Sequence, residues 1–253
     1  MKISHEVPFQ LMNVSRFFND YDYALVHLFE KNNKYRDFFM MSESLGREWI
    51  LDNSLYELKK SFDSERFLFW IRETNPTFYI IPDDYDPEIN MKKFNHWLHL
   101  EKESNVKNKK IAVIHGNNYD DITFSYRKMN ERLQEDDMIA FSTGSKIVTE
   151  MGRFQVIEKL YQKGLINENR GHHLLGATLP QEFKKYRDFS WIRSVDTSSP
   201  VMASIEGTRI SFNGLKLKPK ITVNEIFFYD LKMMNWNLLY HNISMFRRFC
   251  NER

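Results

Sequence analysis

The sequence predicts an α/β protein of the (β/α)8 barrel class, a single domain over residues 1–253. Three observations carry this. Seven short apolar runs recur along the chain, each is followed by an amphipathic charged stretch, and the runs are apolar on successive positions instead of alternating. Successive apolar positions suit strands covered on both faces. Seven or eight βα repeats in 253 residues favour a barrel over an open doubly wound sheet. No glycine-rich phosphate signature follows the first strand, which argues against a dinucleotide fold.

In chain order the predicted strands are Tyr23 to Phe29, Trp49 to Asp52, Phe78 to Pro82, Ile111 to His115, Met138 to Ser142, His172 to Ala177 and Trp191 to Val195, with Lys2 to Ser4 as an eighth. Helical stretches fall between them at Ser64 to Glu73, Glu88 to Glu103, Asp120 to Gln134, Ile147 to Lys163 and Leu179 to Tyr186. Asp83, Asp84 and Asp86 crowd before Pro87, so at least one of them is expected to cap the helix that starts there. After Asp196 the repeat breaks. Asn213 and Gly214 sit between alternating residues in Arg209 to Lys218, a hairpin signal. That makes residues 206–222 an inserted β-hairpin after the last strand, and Val223 to Arg253 reads as a closing C-terminal helix.

Composition excludes several classes. The hydrophobic fraction of 42% and charged fraction of 28% are those of a globular protein. A net charge of +2 excludes a strongly basic binding protein, yet allows a local basic face for phosphates. The lone cysteine, Cys250, can close no internal disulfide and build no zinc site, which points to a reducing compartment. No run of about 18 apolar residues and no signal peptide are seen. The expectation is a cytoplasmic protein without membrane, metal or cofactor.

A barrel keeps its active site where its strands end. Those positions carry Asp52, Asp83 with Asp84, His115 with Gly116, then Ser142, Thr143 and Gly144, and finally Asp196. A single such aspartate is most often a helix cap, and a single histidine is as readily a core residue. Repetition of polar groups at one end of several strands is what marks a site. Two separated carboxylates, Asp52 and Asp196, suit displacement at an anomeric carbon, where one attacks and the other handles the leaving group's proton. The residues leave open which does which.

The order of these motifs resembles the queuine and archaeosine tRNA-guanine transglycosylases, and more closely their phage relatives that place 7-deazaguanines in DNA. The family's DSGGF is matched by Asp52 in LDNSLYE, its base-reading aspartate by Asp83 in IIPDD, and its VQG by His115 and Gly116 in IHG. Its glycine-rich loop is matched by Ser142, Thr143 and Gly144 in STGS, and its YLMGVGTPEDL by HLLGATLPQEF, with the nucleophile following at Asp196. The resemblance implies a pentosyltransferase that exchanges guanine in a polynucleotide for a 7-deazaguanine. Asp196 would be the nucleophile and Asp52 the general acid and base. Asp83, His115, Gly116 and Ser142 to Gly144 would meet the base. Two glycines after the family's acid are absent here and its glutamine is a histidine; the zinc site of the tRNA enzymes is also missing, which favours DNA over RNA. If the chain is phage-encoded, the host cytoplasm is where it acts.

Arg209, Lys216, Lys218 and Lys220 follow the proposed nucleophile and would meet the phosphate backbone. Two alternatives stay open: a hydrolase of a nucleoside or base using the same carboxylates, and a catalytically reduced nucleic-acid-binding subunit of a modification complex.

Overall fold

A computed structural model describes residues 1–177 and 179–252. Thr178, inside the HLLGATLP segment, and Arg253, at the end of the expected C-terminal helix, lie outside the described residues. Eight strands form one parallel sheet and alternate along the chain with helices, so the fold class is the (β/α)8 barrel. The chain divides into two compact units, Asp22–His173 and Met1–Tyr21 with Leu174 onward.

In the Asp22–His173 unit, β2 (Asp22–Leu25), β3 (Trp49–Asp52), β4 (Phe78–Ile80), β5 (Lys109–Ile114) and β6 (Met138–Ser142) pair in sequence order. Their residues are buried almost without exception, which is why the apolar runs do not alternate. In register, Leu25 lies opposite Asp52 at the ends of β2 and β3 and Ile114 lies opposite Phe141, one residue before β6 ends, whereas Ile80 lies opposite Ile111, three residues before β5 ends. Helices Ser64–Thr74, Pro87–Ser104 and Tyr119–Arg132 begin at the side-chain caps Asp63, Asp86 and Asn118. Asp86 is the capping aspartate of its trio and accepts from the Glu88 and Ile89 amides at 3.0 and 2.9 Å.

Several elements differ locally from expectation, among them the Leu179 to Tyr186 stretch, which is a 3-10 helix at Pro180–Tyr186. The run Tyr23 to Phe29 leaves the sheet after Leu25 and tightens into a 3-10 turn at Val26–Leu28. The helix expected over Ile147 to Lys163 is two helices, Lys146–Met151 and Arg153–Gln162, because Gly152 between them has φ +89°. A helix at Asn33–Ser44, absent from the expected set, is capped by Asn32 and buries Tyr35, Phe38, Phe39 and Ser42 on one face.

In the other unit, β1 (Lys2–His5) pairs parallel with β8 (Ile192–Thr197), with Ser4 opposite Asp196 and His5 opposite Thr197. Helix Ser199–Ile205 packs against helix Trp236–Asn251. The buried Asn242 amide ties the following segment to that pair, accepting from Ile210 N at 2.8 Å and donating to Thr208 O at 2.9 Å. The expected β-hairpin is reduced to a tight turn closed by one isolated antiparallel bridge, Ser211 with Gly214, where Gly214 has φ +91°; residues 206–222 form no strands. The closing helix is divided: Val223–Phe227, a 3-10 turn at Leu231–Met233, then Trp236–Asn251, each piece restarted by its own cap at Thr222, Asp230 and Asn235. Among the described residues no helix is long and apolar enough to cross a membrane.

Candidate active site

Asp52 is the last residue of β3 and is 7% exposed. The chain turns back at once: Ser54 adopts a left-handed conformation at φ +62°, which aims its amide at Asp52 Oδ1. The other oxygen, Oδ2, accepts the Tyr23 hydroxyl at 2.5 Å. Tyr23 in turn stacks its ring on His173, with centroids 6.2 Å apart. Burial, reinforced by the negative charge of Glu57 and Asp83, pushes the Asp52 carboxyl well above its usual range, against the two donors that favour the anion. A carboxyl that holds its proton more tightly than an exposed one is suited to serve as a general acid.

Asn53 joins this end of β3 to the end of β4. Its amide donates to Ile81 O at 3.0 Å and to Asp83 Oδ1 at 2.9 Å. The second oxygen of Asp83 lies 2.7 Å from His115 Nε2. Both residues are buried, and Asp83 therefore already has a protein partner on each oxygen. His115 Nδ1 has no hydrogen-bond partner among the described residues. Where Nε2–H is given to Asp83, Nδ1 is a buried acceptor without a partner among the described residues.

Tyr85 packs its ring edge-on to His115 at 5.4 Å. Burial and the nearby acids, Asp83 first among them, push its hydroxyl up to about 12, so it stays a neutral donor. The ring leans on Gly144, where a Cβ would come within 2.5 Å of Tyr85 Cε1. Gly144 N donates to Ser142 Oγ at 3.0 Å, and Thr143 is half-buried between them. Gly116 is braced by Ser145, whose hydroxyl accepts from Gly116 N and donates to Gly116 O, each at 3.1 Å. The Asp22–His173 unit thus brings together Asp52, Asp83, His115, Gly116 and Ser142 to Gly144 on the ends of four neighbouring strands.

Asp196 belongs to the other unit, one residue before the end of β8, and is 6% exposed. Its Oδ1 accepts the Gly176 amide at 2.9 Å, and Gly176 reaches that position with φ +71°. The glycine of HLLG therefore holds the aspartate. Ser4, opposite Asp196 in the β1–β8 register, is buried and its hydroxyl has no partner among the described residues. Arg209, Lys216, Lys218 and Lys220 are all exposed.

Sequence reasoning missed Tyr23, Asn53, Ser54, Ser145, Gly176 and Ser4. Strand parity is the available signal for two of them. Tyr23 and Leu25 share a face of β2, and Leu25 is the neighbour of Asp52; Ser4 is reached from Asp196 by the same reasoning. Among the described residues no three His, Cys, Asp or Glu side chains are grouped to hold a metal ion. No protein-family model matches the chain, and no curated protein matches it at a significant level.

Proposed function

We propose that the protein is a base-exchange transglycosylase that replaces guanine in a polynucleotide, DNA in preference to RNA, with a 7-deazaguanine. The observation that carries this reading is Asp52: a buried strand-end carboxyl with a raised proton affinity and two fixed donors, the make-up of a group that gives and retakes a proton. The order of motifs in the sequence supports the rest.

In the first step an Asp196 oxygen attacks the sugar C1′ of an extruded guanosine nucleotide as the C1′–N9 bond breaks. The electron pair leaves with the purine, which takes the Asp52 proton, and the sugar is held as an Asp196 ester. In the second, the Asp52 carboxylate removes the N9 proton of the incoming 7-deazaguanine. The new C1′–N9 bond then forms and releases Asp196. The Gly176 amide, a donor to Asp196, keeps one carboxylate oxygen fixed while the other attacks. Extruding the nucleotide costs a few kcal/mol in a duplex and less in a single strand. His115, backed by Asp83, would meet the base through Nδ1, and Arg209, Lys216, Lys218 and Lys220 would meet phosphates.

One observation favours a second reading, the catalytically reduced binding subunit. Asn53 and His115 occupy both oxygens of Asp83, the residue the resemblance assigns to reading the base. A single experiment separates the two. Guanine-containing DNA and RNA oligonucleotides are incubated with the protein and resolved under denaturing conditions. The exchange reading expects a denaturation-resistant adduct with DNA that Asp196→Asn abolishes. Absence of an adduct with either polymer, from a protein that still binds them, makes the binding subunit the better account.

A further inference from the structure

Residues 207–222 contain no acidic side chain but four basic ones, Arg209, Lys216, Lys218 and Lys220. Among the described residues none of the four forms an ion pair with a carboxylate, although other exposed cations of the chain do, Lys128 and Arg248 among them. The adjoining acid, Glu206, is taken up by the backbone amides of Lys220 and Ile221. Local positive charge here is therefore uncompensated.

At the tip of this segment Phe212 is 71% exposed. It is nonetheless held in place. The Ser211–Gly214 bridge closes the turn beneath it, and Gln181 clamps the next residue but two, donating to Leu215 O at 2.8 Å and accepting from Leu215 N at 3.1 Å. Lys184 Nζ holds Phe212 O at 3.1 Å, and the Arg248 guanidinium stands 5.4 Å from the ring centroid. A cavity of about 210 Å³ opens beside the ring, lined by Lys184, Arg187, Arg248, Phe249 and one acid, Glu252, which pairs with Arg248, among others. A pre-set aromatic face among cations is what a stacked base with flanking phosphates requires. A duplex offers such a face no exposed base plane.

Resting on the polynucleotide substrate proposed above, we infer that this turn docks single-stranded nucleic acid, with one base stacked on Phe212 and adjacent phosphates on Arg209, Lys216, Lys218 and Lys220. The probe is a labelled oligothymidine of about a dozen nucleotides, within the usual site sizes. It lacks guanine, so its binding is independent of base exchange. Anisotropy titrations of the full chain compare wild type, Phe212→Ala, Phe212→Trp and the double variant Lys216→Ala with Lys218→Ala at several salt concentrations.

Phe212→Ala is expected to weaken binding roughly ten- to hundredfold with an unchanged melting curve. Phe212→Trp should keep affinity and gain an emission change on titration. The lysine variant should flatten the salt dependence by about 0.7 for each phosphate it no longer neutralises. Wild-type affinity in Phe212→Ala, equal competition by a duplex of the same length, or no binding of the probe at all would overturn the inference. Failure of base exchange shows separately: the adduct is absent while oligothymidine binding and its Phe212 dependence persist.

Discussion

Asp52 carries two hydrogen bonds that pull its proton off and an environment that pulls it on. Tyr23 and the Ser54 amide favour the anion; burial, Glu57 and Asp83 favour the acid and prevail. Tyr23→Phe deletes one donor while keeping the ring on His173. The carboxyl should then hold its proton still more tightly, because a hydrogen bond that favoured the anion is gone. Since the first step needs protonated Asp52, the alkaline limb of the pH profile for adduct formation moves up, with the amount of folded protein unchanged. The carboxylic-acid infrared band, assigned by its loss in Asp52→Asn, reads the same shift without any activity; an unmoved band counts against Tyr23 as a positioning residue. Asp52, Asp83, His115 and Asp196 were legible because acids and a histidine at strand ends stand out against apolar runs. Tyr23 was not, because it sits within a strand and only the length of a phenol carries it to the carboxylate. Ser54 was hidden for another reason: nothing in a serine announces a left-handed backbone.

Strands buried on both faces leave continuous apolar runs, and β3 and β6 were legible to the residue. Helices with an aspartate or proline at their start were nearly as clear. The losses came where polar residues do two jobs: Asn32 caps an unexpected helix from inside a polar run, and Asp230 and Asn235 restart the C-terminal segment. The glycines between strand and helix illustrate what only geometry reveals. A Cβ on Gly116 would lie 2.8 Å from Ile122 Cγ1 and 2.9 Å from the Ile122 backbone nitrogen. Backbone at the start of helix Tyr119–Arg132 cannot turn aside, so Gly116→Ala should destabilise the protein by about 1–3 kcal/mol in urea unfolding. At Gly144 the obstacle is the Tyr85 ring, which can rotate. Gly144→Ala should leave stability close to wild type yet lower adduct yield, because Tyr85 no longer packs on His115. Equal losses of stability in the two variants would show that Tyr85 is as fixed as the backbone.

At the scale of the molecule the repeat count carried the barrel class, whereas the division into two units left no trace in composition, since one cut falls beside β2 and the other inside β7 (His172–Leu175). Each unit nevertheless holds a buried histidine whose protonation the fold resists. His5, bonded through Nδ1 to Asn19 at 2.9 Å, is lowered to about 4 by burial above all. His27 is lowered to about 4 by burial and by Lys31. In the unfolded chain both take protons near pH 6.5. As pH falls from about 6.5 toward 4, the unfolded state therefore gains protons that the folded state refuses, and stability declines by up to about 1.4 kcal/mol per pH unit for each histidine. Asp52 has the opposite sign. Its raised affinity stabilises the fold below the unfolded carboxylate pKa of about 3.9, and that contribution is lost as pH rises through the folded value. Two opposed slopes thus overlap on the acid side, and substitution separates them. In urea unfolding followed from about pH 7 to 4.5, His5→Gln and His27→Gln should each flatten the acid decline by as much as one proton. Asp52→Asn should raise stability at neutral pH and steepen that decline, since the compensating carboxyl is gone. A decline as steep in both histidine variants as in wild type would mean that other groups set the acid limit of the fold.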